Sequence, residues 1–510
     1  MDAEKTGSLK TQVIIIGAGP TGLSLAAQLL RYKINFIILE KNEHSTPLSK
    51  AMVVQARTLE IFREQELADK AIAAGRVTNG AGYFYKGKKL LTIDLQGLGA
   101  GLTAFPFALS LEQSKTEKLL IDHLSSHGAG VQWKCTFERF EEDAKGVTVF
   151  YSDANGAQQQ LKAEYIVGCD GASSPVRHAM GEELSGDTIP KLFYVADVLL
   201  KSPVIHTDEL FIFMIKKGFV LFFPMEGSGH YRVIGILPDA DPEKKYEFES
   251  LEPFITQEIK VPAEFEKVLW FSTYKVHTRK AGRFYKGRCF IAGDAAHIHT
   301  PAGGQGMNTG IQDAYNLAWK LAGVIKGELN GSVLETYHTE RSGNAAKLLK
   351  TTDRMFDLLA GVNRFWNFIR IRVFPLFLRL LNKSAGIKKK VFPLLSQTGI
   401  AYPDSSLTVK SSLGKIKAGD RMPYFVLPAG GNIFDRLTQP VFKILFFGEA
   451  AEDIFPPLTI PADRHNFHEI PNGVFGNEKD FFILLRPDNH ISYIGREVNT
   501  IIDFMKKIVT

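Results

Sequence analysis

The sequence predicts an α/β protein: a dinucleotide-binding βαβ domain, interrupted by a mostly antiparallel β-sheet domain and followed by a smaller α/β unit. Three observations predict it. The opening text "TQVIIIGAGPTGLSLAAQLLRYKINFIILEKN" reads strand, tight turn, helix, strand. Alternating apolar runs fill residues 190–280. "GRCFIAGDA" then returns to the fully apolar style of a buried parallel strand.

Each element follows in order. Val13 to Ile16 and Phe36 to Leu39 are short, wholly apolar strands, and Leu23 to Leu30 carry helical spacing between them. "ARTLEIFREQEL" reads as an amphipathic helix. Residues 76–104 are glycine-rich and poorly periodic, which suggests a hairpin or excursion. "LEQSKTEKLLIDHLSSHG" reads as a helix, with Ser114 and Glu117 spaced as a capping box. The turn "DANG" separates two strand-like runs, a hairpin signal. The runs "LFYVADVLL", "ELFIFMIK", "GFVLFFPM", "HYRVIGIL" and "VLWFSTYKVHT" predict an antiparallel sheet with one covered face. Two helices follow the "GDA" strand, and strands and helices alternate again from about Asp420.

Composition bounds the function. The chain has 510 residues, 45% of them apolar, which is ample for two to four structural units. A net charge of +6 is small for this length; it argues weakly for anionic ligands and does not indicate a nucleic-acid protein. Three cysteines, Cys135, Cys169 and Cys289, offer no CxxC and no disulfide framework, and read as small core residues. The polar start "MDAEKTGSLKTQ" lacks a signal core and no apolar run is long enough to span a bilayer, so a cytoplasmic location is expected.

Gly17, Gly19 and Gly22 form GxGxxG between a strand and a helix, with Glu40 ending the next strand. Gly17 permits the tight turn, Gly19 lets a pyrophosphate reach the backbone, and Gly22 allows close helix–strand packing. The phosphates would meet unpaired N–H groups at the helix start, where the dipole favours anions. Glu40 is placed to accept hydrogen bonds from a ribose with free hydroxyls, which favours FAD or NAD over NADP. Asp170 and Asp294 also end strands beside glycines, where open α/β sheets bind ligands. His297 and His299 form HxH. Two ligands at that spacing need a third and a fourth, no cluster nearby offers them, and no metal is expected.

Three segments in order, "GAGPTG", "CDGASSPVR" and "GDAAHIHTPAGGQGMNTGIQDAYNLAWKL", resemble the FAD-dependent aromatic hydroxylases, single-component flavoprotein monooxygenases of the p-hydroxybenzoate and phenol hydroxylase type. The resemblance runs from about residue 10 to 350 and includes the "ARTLEIF" helix. "AGDRMPYFVL", "FDRL" and "FFILLRPDNHISYIG" are similar to the thioredoxin-like domain of the phenol-hydroxylase branch, here without CxxC. The resemblance implies a Rossmann-like FAD domain from 1–180 and 281–350, with 76–104 reaching toward a substrate-binding sheet domain at 181–280. It further implies a helical connector at 351–410 and a thioredoxin-like domain at 411–510.

It also implies roles. Gly17, Gly19, Pro20, Thr21, Gly22, Glu40 and Lys41 would hold the ADP half of FAD. Lys50, Arg57 and Gln113 lie where the family contacts the phosphate and ribityl region, and Asp294 would bind the ribityl chain. Asp170 would serve FAD and a transient NADPH or NADH. Arg177 fits that role or a bridge between strands. The helix start at Gly306, Met307 and Asn308, after Gly304, would donate N–H groups to the reduced flavin's N1/O2 edge, with Pro301 stiffening the turn beside the isoalloxazine. Phe222, Pro224, Tyr231 and Pro301 are the substrate-binding candidates. His230, Arg232, Tyr274, Phe223 and Met225 fit a pocket or plain sheet structure.

The implied activity uses NAD(P)H and O2 to hydroxylate a phenolic or polycyclic aromatic through a C4a-hydroperoxyflavin. No second GxGxxG follows a strand, so NAD(P)H would bind transiently at the surface. A flavin reductase or halogenase, or a non-catalytic FAD-binding redox sensor, are the alternatives. None of the four tryptophans sits in the WxWxIP expected of a halogenase. The expected partners are an aromatic substrate, O2 and NAD(P)H, with no nucleic acid and with a homodimer left open. Residues 364–392 hold eight Lys or Arg, no acid and interleaved aromatics. They read as a connector packing its aromatic face inward or as a peripheral membrane contact.

Overall fold

A computed structural model describes residues 11–46, 51–95, 97–206, 209–216, 218–237, 241, 244–300, 303–360, 364–449, 455–469 and 473–509. Two sheets dominate. The first runs in the order Tyr285–Lys286, Cys289–Ile291, Tyr165–Gly168, Val13–Ile16, Phe36–Leu39, Val131–Gln132. All its pairings are parallel except that of the Tyr285–Lys286 edge. Val13–Ile16 and Tyr165–Gly168 are buried throughout, as continuous apolar text requires of strands covered on both faces. From Val13–Ile16 the chain steps to Phe36–Leu39 on one side and returns to Tyr165–Gly168 on the other. That reversal opens a crevice at the carboxyl ends of the two central strands.

The second sheet has eight strands, ordered His297–Ile298, Glu264–Ala281, Leu184–Lys201, His230–Leu237, Gly218–Pro224, Glu209–Ile215, Gly80–Tyr85, Lys88–Asp94. Residues 76–104 thus supply its edge hairpin, and the third glycine-rich motif supplies its opposite edge. The sequence text between two of these strands hides a helix, Phe248–Ile259, which covers one face through Phe248, Leu251, Ile255 and Ile259.

A four-stranded sheet, Ala462–Phe467, Phe442–Phe447, Phe481–Leu485, Ile491–Gly495, has one parallel pair and two antiparallel ones. The helix Val498–Ile508 follows it. Helices Arg364–Phe368, Phe374–Lys383 and Ala385–Leu395 connect it to the rest, with a π-helical turn at Ile369–Val373. Cys135, Cys169 and Cys289 are buried and free. One expectation fails. The helix over 113–126 is Gln113–Ser126, capped by Glu112, so Ser114 lies inside it and no capping box forms. No described helix is long and apolar enough to cross a membrane.

Candidate active site

The nucleotide turn takes its shape from its glycines. Gly17 has φ +103°, the left-handed region, and a Cβ there would sit 2.5 Å from the Cys169 carbonyl oxygen. A Cβ on Gly22 would lie 2.0 Å from the Gly17 oxygen. Gly19 differs: a Cβ there would meet nothing within 4 Å. It borders open space at the start of helix Pro20–Arg31, where Pro20 takes the first position and Gly19 caps without a side-chain bond. Glu40 closes the turn. Its Oε2 accepts from the Ala18 amide at 2.8 Å, and its Oε1 accepts from the Asn42 amide at 2.9 Å. Lys41 beside it is exposed.

The other two motifs converge on this turn. Thr21, in the first turn of the helix, fills the space over Gly293 and Gly310, where added Cβ atoms would lie 2.5 and 2.3 Å from its Oγ1. Asp170 stands at the end of the neighbouring strand. Its Oδ2 accepts from the Val176 amide at 3.0 Å, while its buried Oδ1 has no partner. Burial pushes its pKa up, against Ser174 and Val176, which favour the charge. Arg177 is buried and donates Nη1 to the Ala295 carbonyl at 3.1 Å, so it ties the second motif to the third through a backbone oxygen. Asp294, at the end of Cys289–Ile291, is exposed beside that crevice.

The third motif explains its glycines and histidines. Gly303 and Gly304 have φ +79° and +62°, and Gly304 packs on Val53. The helix Gly306–Ile325 starts at Gln305 without a side-chain cap, as a helix start that serves a ligand requires. Asn308 does more than lend its amide. Its Oδ1 accepts from the Gln55 amide and Thr58 Oγ1, both at 2.8 Å. Its Nδ2 donates to the Val53 and Gly304 carbonyls, both at 2.8 Å. This clasp, which sequence reading missed, fixes the helix start against Val53–Val54. Met307 packs half-buried on the same core.

His297 is buried and its Nε2 bonds Asp313 Oδ2 at 2.7 Å, while Asp313 also accepts from the Gly293 amide at 3.0 Å and Arg341 Nε at 2.6 Å. Burial works against the Asp313 charge, but Arg341 and His297 overcome it and hold the pKa at about 2. His299 hydrogen-bonds the Thr300 carbonyl through Nδ1 at 2.8 Å. Its Nε2 lies beside Gly306 without a partner, and the buried Thr300 Oγ1 also has none. Among the described residues no group of three or more His, Cys, Asp or Glu is placed to hold a metal.

Several predicted residues lie elsewhere. Lys50 and Pro301 fall outside the described residues. Arg57 is buried in the helix Ala56–Glu64. Its Nη1 pairs with Glu60 at 3.1 Å, its Nη2 donates to the Asp488 carbonyl at 3.0 Å, and it lies over the Tyr315 ring. Its guanidinium thus joins its own helix to the carboxyl-terminal unit. Gln113 donates its amide to the Ala51 carbonyl at 3.0 Å and its Nε2 to Glu117 at 2.9 Å. Burial raises the Glu117 pKa to about 7, and the nearby Glu40 charge adds to the rise.

The substrate candidates divide between the two faces of the large sheet. Phe222 and Tyr231 are fully buried in the cluster under helix Phe248–Ile259, on the far face of the large sheet. The opposite face belongs to the same core as the nucleotide motifs. It presents Ile212, Leu221 and Tyr274, all half-buried. By register Phe223 and Arg232 share it. Arg232 is itself buried and bonds Asp197 through Nε at 2.7 Å and Nη2 at 2.6 Å, lying over Trp270. Pro224 ends its strand beside a cavity of about 170 Å³, shared with Met52, Ser110, Glu112, Lys115 and Met225. His230, at the other strand end, bonds the Glu226 carbonyl at 3.1 Å.

The residues present fit a flavin dinucleotide: open backbone at Gly19, a carboxylate at the second strand end, and buried polar atoms without partners in the second and third motifs, Asp170 Oδ1, His299 Nε2 and Thr300 Oγ1. Fold and site therefore define a dinucleotide-binding flavoprotein. A family model described as an FAD binding domain matches residues 10–352, and the chain belongs to the FAD-dependent aromatic hydroxylases, a family of flavoprotein monooxygenases. It is 33% identical to the 6-methylpretetramide 4-monooxygenase of Streptomyces rimosus, over 96% of this chain and 91% of that one. It is 27% identical to the pentachlorophenol 4-monooxygenase of Sphingobium chlorophenolicum, over 95% and 94%. The solved structure of the OxyS anhydrotetracycline hydroxylase from Streptomyces rimosus superposes with a TM-score of 0.77 at 26% identity, covering 98% of this chain and 99% of that one.

Proposed function

We propose that the protein hydroxylates a phenolic or polycyclic aromatic compound with NAD(P)H and O2, in the space between the helix start at Gly306 and the sheet face bearing Leu221, Phe223, Arg232 and Tyr274. One observation carries this reading. The strand His297–Ile298 of the third motif is itself the edge of the eight-stranded sheet, pairing Arg279 with Ile298 and Lys280 with His297. The flavin-facing loop and the apolar sheet face are therefore parts of one surface.

FAD, when bound, supplies hydride acceptance from NAD(P)H and activation of O2. The chain supplies the rest. Gly17, Gly19 and the start of helix Pro20–Arg31 accept the pyrophosphate, and Glu40, already holding Ala18, accepts from the ribose. Asp294 takes the ribityl hydroxyls. The amides of Gly306, Met307 and Asn308 would donate to the ring edge and favour negative charge there, and the Asn308 clasp fixes the start of their helix. The apolar sheet face excludes water from the reacting centre. We read the carboxyl-terminal unit as thioredoxin-like, a reading supported by its sheet, an edge parallel pair followed by two antiparallel pairings, and by the helix that follows.

Anaerobic stopped-flow reduction tests the activity, with NADPH and NADH compared, with and without a panel that includes simple phenols, pentachlorophenol and anhydrotetracycline. At least one aromatic should speed flavin reduction about tenfold or more, and in air its product should gain the mass of one oxygen. Reduction unaffected by every aromatic, with all reducing equivalents lost as H2O2, would overturn the proposal.

A further inference from the structure

The connector between residues 364 and 395 carries a surface that the oxygenase reading does not use. Nine large apolar side chains are strongly exposed among the described residues, and seven of them fall in this one stretch: Phe365, Phe368, Val373, Leu376, Phe377, Leu380 and Leu394. Phe365, Phe368, Leu376 and Leu380 are each 56–63% exposed. Single exposed apolar residues need no explanation, but a ridge of them does.

The ridge is the outer face of helices whose inner face is already satisfied. Leu378, Leu381 and Phe392 are buried, and Phe374 packs edge-on against Tyr83. Asn382 donates Nδ2 to the Thr92 carbonyl at 2.6 Å and accepts the Asp94 amide at 3.2 Å, pinning the helix to the edge hairpin of the large sheet. Tyr83 donates to the Arg370 carbonyl at 3.0 Å, and Arg370 is buried. The π-helical turn Ile369–Val373 adds a residue to one turn and so resets the phase between the two helical pieces. Phe365 and Phe368 before it and Leu376 and Leu380 after it are all left outside.

Charge selects the occupant. No Asp or Glu occurs from residue 358 to 403. Arg372, Arg379, Lys383, Lys389 and Lys390 are exposed along the ridge, while Lys388 pairs with Asp94 at 3.3 Å. A second copy docking face to face would set this acid-free surface against itself, cation on cation. A surface of anionic headgroups over an apolar interior meets both demands: the rings and leucines enter the acyl boundary and the long basic side chains reach the phosphates. No described helix can span a bilayer, so the contact is peripheral. We propose that the Phe365–Leu394 face rests on an anionic lipid surface.

Flotation of the full-length FAD-loaded protein tests this, with phosphatidylcholine vesicles compared against vesicles that also contain phosphatidylglycerol. The bound fraction should rise about tenfold or more on the anionic vesicles and fall as salt is raised. Two variants probe the two halves of the surface: Phe368→Ser/Leu376→Ser/Leu380→Ser for the ridge and Lys389→Glu/Lys390→Glu for the charge. Each should lower binding about fivefold or more while FAD content and the melting transition stay as in the parent. No binding to anionic vesicles would overturn the proposal, and so would equal binding to both vesicle types. Sedimentation velocity showing a dimer that the ridge variant converts to monomer would overturn it in favour of a second copy.

Discussion

Around Asp170, His299 and Thr300, buried polar atoms stand without partners. Around Glu340 and Arg486, on the same helix-packed core, the charges are answered. Glu340 accepts from Arg486 at 2.6 and 3.1 Å, from Lys320 at 2.8 Å, from Asn316 at 2.7 Å and from Ser405 at 2.6 Å. Asp488 receives Trp319 Nε1 at 3.3 Å, and Arg341 reaches Asp313 at 2.6 Å and the Tyr402 hydroxyl at 2.9 Å. A buried polar group left unmade costs about 1–3 kcal/mol, and a fold keeps such groups where a ligand will complete them. The helix Gly306–Ile325 runs through both regions. Its first turn lines the ligand seat, and its later turns, through Asp313, Asn316, Trp319 and Lys320, form a joint with the carboxyl-terminal unit.

The joint should fail most heavily when one partner is removed. Arg486→Met leaves Glu340 and Asp488 buried without their main cation, and should cost about 3–5 kcal/mol in urea unfolding. A loss below about 1 kcal/mol would show that the joint does not depend on this ion-pair network. Acid should loosen the same region next. Burial opposes the Asp313 and Glu340 charges, yet their cations hold both pKa values at about 2, below the ordinary carboxylate range. Folded values below unfolded ones mean that this stability is complete above the unfolded pKa and lost as pH falls through the folded one. Urea midpoints should therefore drop between about pH 5 and pH 2, and less steeply in Arg341→Met, where Asp313 has lost its cation. The ligand seat should respond least in stability and most in binding. Gly19→Ala meets no atom within 4 Å, so the apoprotein should melt within about 0.5 kcal/mol of the parent while FAD affinity falls about tenfold or more in a fluorescence titration. Gly22→Ala, 2.0 Å from a carbonyl oxygen, should lose both, which separates a glycine needed by the ligand from one needed by the fold.

The ligand seat was legible because its determinants are local. Gly17, Gly19, Gly22 and Glu40 lie within one βαβ unit, and the glycines of 303–310 announce their backbone requirements in the text. The joint was not legible, since Glu340 and Arg486 are 146 residues apart and Arg57 meets Asp488 across 431. Arg57 pairs with Glu60 three residues on, but no local signal gives its bond to the Asp488 carbonyl. Lys320 inside the apolar helix text was the one hint. Which face each sheet residue takes was not legible for a different reason. The large sheet is covered on both sides, so Leu221, Phe222 and Phe223 are all apolar and alternation carries no sign. The helix Phe248–Ile259, with Pro253 inside it, was lost in text that reads as a loop between strands.

The joint also sets an order of events during synthesis. At about 5–20 residues per second, the 146 residues between Glu340 and Arg486 take roughly 7–30 s to leave the ribosome. During that interval Glu340 and Lys320 exist without the guanidinium that makes their burial tolerable, so this flank of the helix stays hydrated. Asn330 waits longer still, for the Ile508 carbonyl that accepts its amide at 2.9 Å. The GxGxxG turn is translated long before Arg486, yet the helix that packs beside it is locked only once that distant arginine has emerged.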